Sequence, residues 1–441
     1  MHTTSEDLEI RALLERVTAA RRQTDKLFEL VRADALYERP IPERHRIIFY
    51  LGHLEAFDWN LLQPRIPNAR VFDPELNRLF AFGIDPVDGG LPTDQPSDWP
   101  VLQQIGRYRD RVRATLDAAL TDHSPGVWGG DESPQALLNV IIEHRLMHAE
   151  TLAYMLHQLP FEKKGRASQA TVRAAAPARA DTIEIPAGRA TLGIERNEAV
   201  GFGWDNEYEV HSVDVPEFAV DRYKVTNGQY LKFVDAGGYK ERGLWSPSAW
   251  NWKEEHGVAH PLFWIKAGKT WRYRAMFEEL LLPLDWPVYV SHSEASAYAA
   301  WIGKRLPTEP EWHRSAYGTP SGSERNFPWG AETPGPEHGC FDFGRWDPSP
   351  VNAFEASQSA FGASGHLANG WEWTSSLFQP FTGFQPFPFY EGYSANFFDG
   401  MHYVMKGGSP RTGQSMLRRS FRNWFQPHYP YVYAGFRCAE R

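Results

Sequence analysis

The chain has 441 residues, 42% hydrophobic and 23% charged, which at about 100–200 residues per domain predicts two or three domains and excludes a disordered polar chain. A net charge of −9 disfavours nucleic acid and anionic lipid as partners, and no apolar run approaches the ~20 residues that span a bilayer. Two cysteines, Cys340 and Cys438, are too few for a disulfide framework or a thiolate cage, so any metal here rests on His and carboxylate.

The N-terminus, Met1 to Asp7, is polar and acidic and lacks the basic and apolar regions of a signal peptide, so cytoplasmic residence is expected. From Glu6 to Phe161 the apolar spacing is helical. Leu8, Leu13, Leu14 and Val17 mark one segment, and Ile47, Ile48, Tyr50, Leu51, Leu54 and Phe57 a second. Two more run from Pro100 to Thr121 and from Ser133 to Leu159, the last opened by a Ser133-Pro134 cap. Together they predict a four-helix bundle over residues 1–162. Between the second and third helices, Arg65 to Trp99 is rich in Pro, Gly and Asp and too long for an ordinary bundle loop, which makes it a candidate functional crossover.

Residues 163–180 contain almost no large apolar side chain and read as a linker. Beyond it, residues 181–441 hold most of the aromatics, with short strand-like runs at Thr182–Ile185, Ala190–Ile194 and Val288–Val290 and one clear helix at Ser293–Ile302. This pattern predicts an irregular α+β domain held by aromatic packing.

The most informative local pattern is Glu143 to Glu150. His144 and His148 stand four apart, so on a helix both imidazoles can reach one ion. A third ligand should come from another helix, and His53, in the second amphipathic segment, is the choice. A His pair on a solvated helix face is the plain alternative, but three His in apolar windows are costly to bury without a partner or a metal. His45, beside Arg44 and Arg46, and His157, near a helix end, read as surface residues. Glu150 could be a fourth ligand or an acceptor that orients a ligand imidazole. Ligand type alone allows Fe(II), Zn or Cu.

Tyr223 to Val234, Trp286 to Trp312, Asn369-Gly-Trp-Glu-Trp-Thr, Lys406-Gly-Gly-Ser and Gly435-Phe-Arg-Cys follow one another as in the formylglycine-generating-enzyme (sulfatase-modifying-factor) fold. The resemblance covers residues 182–441 and implies a C-type-lectin-like irregular α+β domain, in which Trp301, Trp312 and Trp373 serve the core. A formylglycine-generating oxidase needs a cysteine pair near its C-terminal end, where this chain has Cys438 alone, so that activity is disfavoured. The His-x3-His-x-Glu of His144, His148 and Glu150 resembles the metal motif of DinB-type bundles. A DinB-like bundle ahead of such a domain resembles the ergothioneine-type sulfoxide synthases, which join sulfur to the imidazole C2 of hercynine (N-trimethylhistidine) using non-haem iron and O2.

That resemblance implies an Fe(II)- and O2-dependent enzyme with Fe(II) held by His53, His144 and His148. Phe421 to Phe425 matches the family's Arg-Asn-Trp motif, implying that Asn423 holds the hercynine carboxylate and Trp424 lines the betaine pocket, while Arg422 could equally be structural. A tyrosine near the iron serves the family as proton donor; Tyr393 and Tyr390 are the candidates, unless Phe378 occupies that place. The chain departs from the family at Met147, where Gln is common, and at Phe425, where members using gamma-glutamylcysteine have Asp; both remain substrate-site candidates. Leu79 to Gly106 has no Lys or Arg, whereas Asp85, Asp88, Asp94 and Asp98 are acidic, so within the donor-binding crossover of Arg78, Phe82 and Asp85 the stretch from Phe80 to Gly90 suits a neutral, hydroxylated donor; the plain alternative is that these Asp residues solvate a loop tip and Arg70 or Arg78 binds a carboxylate. The neutral-donor reading favours the selenoneine synthase branch, with a selenosugar donor, over a sulfoxide synthase using gamma-glutamylcysteine or cysteine. A Zn-dependent thiol transferase is the alternative of another class. The expected partners are these small molecules, with the chain a monomer or homodimer.

Overall fold

The computed structural model describes residues 5–66, 69–82, 91–122, 132–167, 181–196 and 201–440, in two compact units, Met1–Ala167 and Ser168–Arg441. Residues 168–180, most of the expected linker, lie outside the described residues.

The first unit contains α1 (Ser5–Glu29), α2 (Ile47–Leu62), α3 (Pro74–Phe82), α4 (Leu102–Asp122) and α5 (Pro134–Gln158). Four of these coincide with the segments that the apolar spacing predicts. The helix α3 is a correction to the irregular crossover: Leu76 and Phe80, one turn apart, are buried and give this short segment an apolar stripe. In α1 the buried stripe is Ile10, Leu13, Val17, Ala20 and Leu27, and α1 packs on α5 while α2 packs on α3, α4 and α5. Ser133 caps α5 by accepting the Ala136 N–H at 3.1 Å, with Pro134 in the first turn. No helix among the described residues is long and apolar enough to cross a membrane.

One polar network runs through this apolar bundle. Arg145 of α5, almost wholly buried, donates to Asp58 Oδ2 at 2.6 Å, Glu55 Oε1 at 3.1 Å and the Leu54 carbonyl at 2.9 Å, all on α2. Arg113 of α4 donates to Glu55 Oε1 at 2.6 Å and, through both terminal nitrogens, to Asp25 of α1 at 2.7 and 2.8 Å. The two guanidiniums hold the Glu55 carboxyl down at about 2 against the opposing effect of burial, whereas burial pushes Asp58 up. Four helices are thus bound at one depth.

The second unit opens with β1 (Thr182–Ile185), β2 (Gly188–Leu192), β3 (His211–Val215) and β4 (Phe218–Asp221), then α6 (Asn227–Asp235) and α7 (Pro247–Glu255). It continues through β5 (Trp264–Ala267), β6 (Thr270–Arg274), β7 (Glu279–Leu281), α8 (His292–Trp301) and α9 (Glu309–Tyr317). It ends with β8 (Gly370–Leu377), β9 (Tyr403–Gly408), β10 (Asn423–Phe425), β11 (Ala434–Gly435) and β12 (Ala439–Glu440). The sheets are β1-β4-β12, β2-β3, β5-β6-β7 and β10-β9-β8-β11, antiparallel except where β11 joins β8. Val288–Val290, expected as a strand, is not one: the Val288 N–H bonds to Val225 and the Val290 N–H to Ala434, so its bonds go to two different segments and build no ladder.

The motif residues of this unit meet in one buried network. Glu372 of β8 accepts from Arg437 at 2.6 and 2.8 Å and from the Trp312 indole of α9 at 2.9 Å, and pairs with Lys224 at 2.9 Å. Gly407 is required where it stands: φ is +98° and a Cβ would lie 2.4 Å from the His366 carbonyl oxygen. Trp312 and Trp373 are buried as expected, whereas Trp301 is half-buried against Phe233 and Tyr298.

Arg145→Met should leave Glu55 and Asp58 short of a buried partner and cost about 3–5 kcal/mol. Arg109→Met, which removes an exposed pair with Asp110, should cost less than about 1 kcal/mol. Urea denaturation of both variants checks the contrast.

Candidate metal centre

His53 projects from the middle of α2, and His144 and His148 from one face of α5. One ring nitrogen of each lies within 4.8 Å of the others, the only such group of three among the described residues. His144 Nε2 and His148 Nε2 are 3.1 Å apart, the separation that two ligand nitrogens have on one ion with bonds of about 2.1 Å. The Phe80 carbonyl accepts from His53 Nδ1 at 2.7 Å, so that nitrogen carries the proton and Nε2 carries the lone pair.

Burial is the main electrostatic force on all three rings. It lowers His53 to about 4, and it holds His144 and His148 well below the ordinary imidazole range, with the neighbouring rings and Arg145 adding to the effect. At neutral pH the rings are uncharged, the form that ligates a metal. Aromatic walls fix them. Phe57 stacks on His144 at 3.5 Å between centroids and 11°, Phe49 stacks on His53 at 4.7 Å, and the Tyr50 ring lies 5.4 Å from His148. Three converging neutral imidazoles, one oriented by a main-chain carbonyl, fit a divalent transition-metal ion.

The other residues singled out in this unit are placed differently. Glu150 is buried but is not in the three-nitrogen group; two residues beyond His148, it leaves α5 about 200° around the axis. Met147 is partly exposed beside His148, and Arg78 is exposed on α3. Phe82 closes α3 with its side chain outside the described residues, where Asp85 and Asp88 also fall. Asp94, expected among the free acids of the crossover, is a correction: it is buried and takes charge-assisted bonds from Arg39 and Arg46 and the Trp99 indole N–H at 2.7 Å. His157 is also corrected. It is buried rather than superficial, because the chain folds back after α5 and Lys164 caps the Leu156 and His157 carbonyls at 2.6 and 3.3 Å. His45 is partly exposed, with its ring 4.1 Å from Phe49.

In the second unit, Asn423, Trp424 and Phe425 form β10, each half-buried, with Trp424 opposite Val404 of β9. Trp424 stacks face to face on Phe378 at 4.1 Å and 7°, and meets Tyr393 edge-on at 5.5 Å and Phe397 at 5.6 Å. Tyr393 stacks in turn on Trp204 at 4.0 Å, and Tyr390 lies 5.6 Å from Tyr393. Burial pushes the Tyr390 phenol up to about 12. Phe425 stacks on Tyr429 at 5.0 Å. Arg422 is a structural ion pair, donating to both oxygens of buried Glu309 at 2.9 and 3.1 Å. Cys340 and Cys438 are both free and buried.

Sequence reasoning did not single out Phe49, Phe80 or Trp204 as site residues and named Phe57 only as an apolar marker of its helix. Phe49 and Phe57 stand four residues either side of His53 on one helix face, a signal that was available; Phe80 and Trp204 gave none.

The depressed imidazoles carry a signed pH dependence. In the unfolded chain His53 protonates near 6.5 but in the folded chain only near 4, so the unfolded state takes up the proton first as pH falls. Stability of the metal-free protein should therefore be full above about pH 6.5 and decline towards about pH 4, with His144 and His148 acting in the same direction. Asp205, raised to about 6 by burial, acts with the opposite sign, so the test compares variants: His53→Gln should lose stability less steeply than wild type in thermal unfolding across that window.

Residues 16–152 match the DinB superfamily, and residues 168–441 match the sulfatase-modifying factor enzyme 1-like domain. A hercynine oxygenase of Mycolicibacterium smegmatis is 33% identical over 441 residues, covering 97% of this chain and 98% of that protein. A hercynine oxygenase of Mycobacterium tuberculosis is 43% identical over 237 residues, 53% of this chain and 55% of that protein. Ergothioneine biosynthesis protein 1 of Neurospora crassa is 27% identical over 494 residues, 93% of this chain and 55% of that protein. With both domain types present in this order and a relative matched from end to end, the chain is an oxidoreductase that belongs to the ergothioneine-type sulfoxide synthase family.

Proposed function

We propose that this enzyme joins selenium or sulfur to the imidazole C2 of hercynine, using O2 and an Fe(II) held by His53, His144 and His148. The observation that carries the reading is the convergence within 4.8 Å of three neutral imidazoles, His53 and His144 buried and His148 partly exposed, in a chain similar along almost its whole length to a hercynine oxygenase. When bound, the ferrous ion supplies the O2 redox chemistry that side chains cannot perform.

The protein's own residues bind, orient and hold protons. Trp424 and Phe378 offer aromatic faces to a trimethylammonium group. Arg422 is committed to Glu309, which leaves Asn423 for the substrate carboxylate. The Asn423 Oδ1 already accepts the Trp424 N–H at 2.9 Å, so its NH2 is the end that donates. Tyr393, with Tyr390 behind it, is the proton donor; the raised Tyr390 phenol keeps its proton at neutral pH. Phe378 has none to give.

The donor reading favours a selenosugar. Gamma-glutamylcysteine carries two carboxylates, yet Leu79 to Gly106 has no Lys or Arg, Arg39 and Arg46 are engaged by Asp94, and Phe425 is packed on Tyr429. A neutral donor requires none of these charges.

An anaerobically Fe(II)-loaded chain, given hercynine with gamma-glutamylcysteine, cysteine or a selenosugar and then O2, should yield a hercynine–selenium adduct by mass analysis. Turnover of the thiols alone would move the enzyme to the sulfur branch, and absence of hercynine-dependent O2 uptake would end the proposal. His148→Ala should abolish stoichiometric iron binding; an unchanged iron content would remove the triad.

A further inference from the structure

Glycine in a helix interior costs about 1 kcal/mol relative to alanine, yet Gly52 sits in the middle of buried α2, one residue before His53. A Cβ at Gly52 would lie 2.4 Å from the Phe80 ring, so the ring occupies the space a side chain would take. Phe80 is fully buried near the end of α3, and its carbonyl oxygen is the acceptor for His53 Nδ1. The close approach of α3 to α2 that Gly52 permits is therefore the approach that brings a main-chain acceptor to His53.

The rest of α3 is anchored independently. Asn77 donates to the Phe72 carbonyl at 2.9 Å and accepts from the Tyr108 hydroxyl of α4 at 2.7 Å, while its carbonyl accepts from Asn60 of α2 at 3.2 Å. The helix is thus seated by polar bonds one turn before Phe80 and by the ring at Phe80 itself. Its last turn cannot drift without breaking one or the other.

We propose that Gly52 and Phe80 are positioning residues for His53: the glycine admits the ring, the ring seats α3, and the Phe80 carbonyl locks the imidazole with its proton on Nδ1 and Nε2 free to ligate. The inference rests on His53 being a metal ligand. It adds that the orientation of this ligand is set by the crossover helix, which carries Arg78 and Phe82 on either side of Phe80. A donor that shifts the end of α3 would then act on the metal through one hydrogen bond.

The test uses Co(II) alone, titrated into full-length, metal-free wild type, Gly52→Ala, Phe80→Leu and Leu116→Ala, with imidazole 15N shifts recorded before metal is added. Wild-type His53 should show a protonated Nδ1. Gly52→Ala should admit the Nε2–H tautomer and weaken Co(II) binding about 10–100-fold. Phe80→Leu removes the ring without adding a clash, and should change both readouts in the same direction even where Gly52→Ala lowers stability. Leu116 is buried two turns along α4 from Tyr108, so Leu116→Ala loosens the bundle core elsewhere and should bind Co(II) as wild type does. The proposal is overturned if wild-type His53 carries its proton on Nε2, or if folded Gly52→Ala and Phe80→Leu bind Co(II) as tightly as wild type. Failure of wild type to take up Co(II) would instead sink the metal reading itself.

Discussion

Burying a guanidinium is tolerable only where carboxylates meet it, and in the helical unit this fixes how far α5 can slide along α2. Arg145 reaches Glu55 and Asp58 from a position adjacent to His144 and three residues before His148, while Glu55 is two residues after His53. A slip of one turn, about 5.4 Å, would strand a buried charge and separate the imidazoles together. The ion network and the nitrogen triad are therefore one geometric fact read twice. Arg113 extends the constraint to α4 and α1, so the depth of the site is shared by four helices.

Burial has opposite electrostatic consequences for the two sets of groups. Burial in a low dielectric, with the neighbouring rings and Arg145 adding to it, leaves the imidazoles neutral. Glu55 lies equally deep but stays ionised because two guanidiniums donate to it. The second unit repeats this logic: Glu372 is held ionised by Arg437 and Lys224, and Glu309 by Arg422. These pairs fix the backbone on which the aromatic residues around Trp424 are mounted. Lys406 contributes by donating to the Arg419 and Phe421 carbonyls at 2.9 and 2.6 Å, directly before β10. Rigid aromatic faces suit a trimethylammonium group, and neutral imidazole nitrogens suit a divalent transition metal.

Much of this was legible in the chain. Helical periodicity located four helices because α1 and α4 each carry one apolar stripe while α2 and α5 are apolar and buried most of the way round, and the i, i+4 spacing of His144 and His148 is a local property of any helix. The motifs of the second half were legible as a set, since Lys224, Trp312, Glu372 and Arg437 come from four separate motifs. Local composition misled where a charge was neutralised by a distant partner. Asp94 reads as a solvated loop acid, yet Arg39 and Arg46 come from more than forty residues away. His157 reads as a helix-end residue until the chain returns over it.

By itself the sequence determined the two-part architecture, the helical bundle with its His pair, and the family to which the motifs belong, because these depend on periodicity and on ordered residue types. Only the tertiary structure decided that His53 stands within reach of that pair, that its proton lies on Nδ1, and that a short helix in the supposed loop is what holds it there. Those depend on which groups meet across tens of residues, and the unusual glycine at position 52 has meaning only once the ring that fills its vacant space is in view.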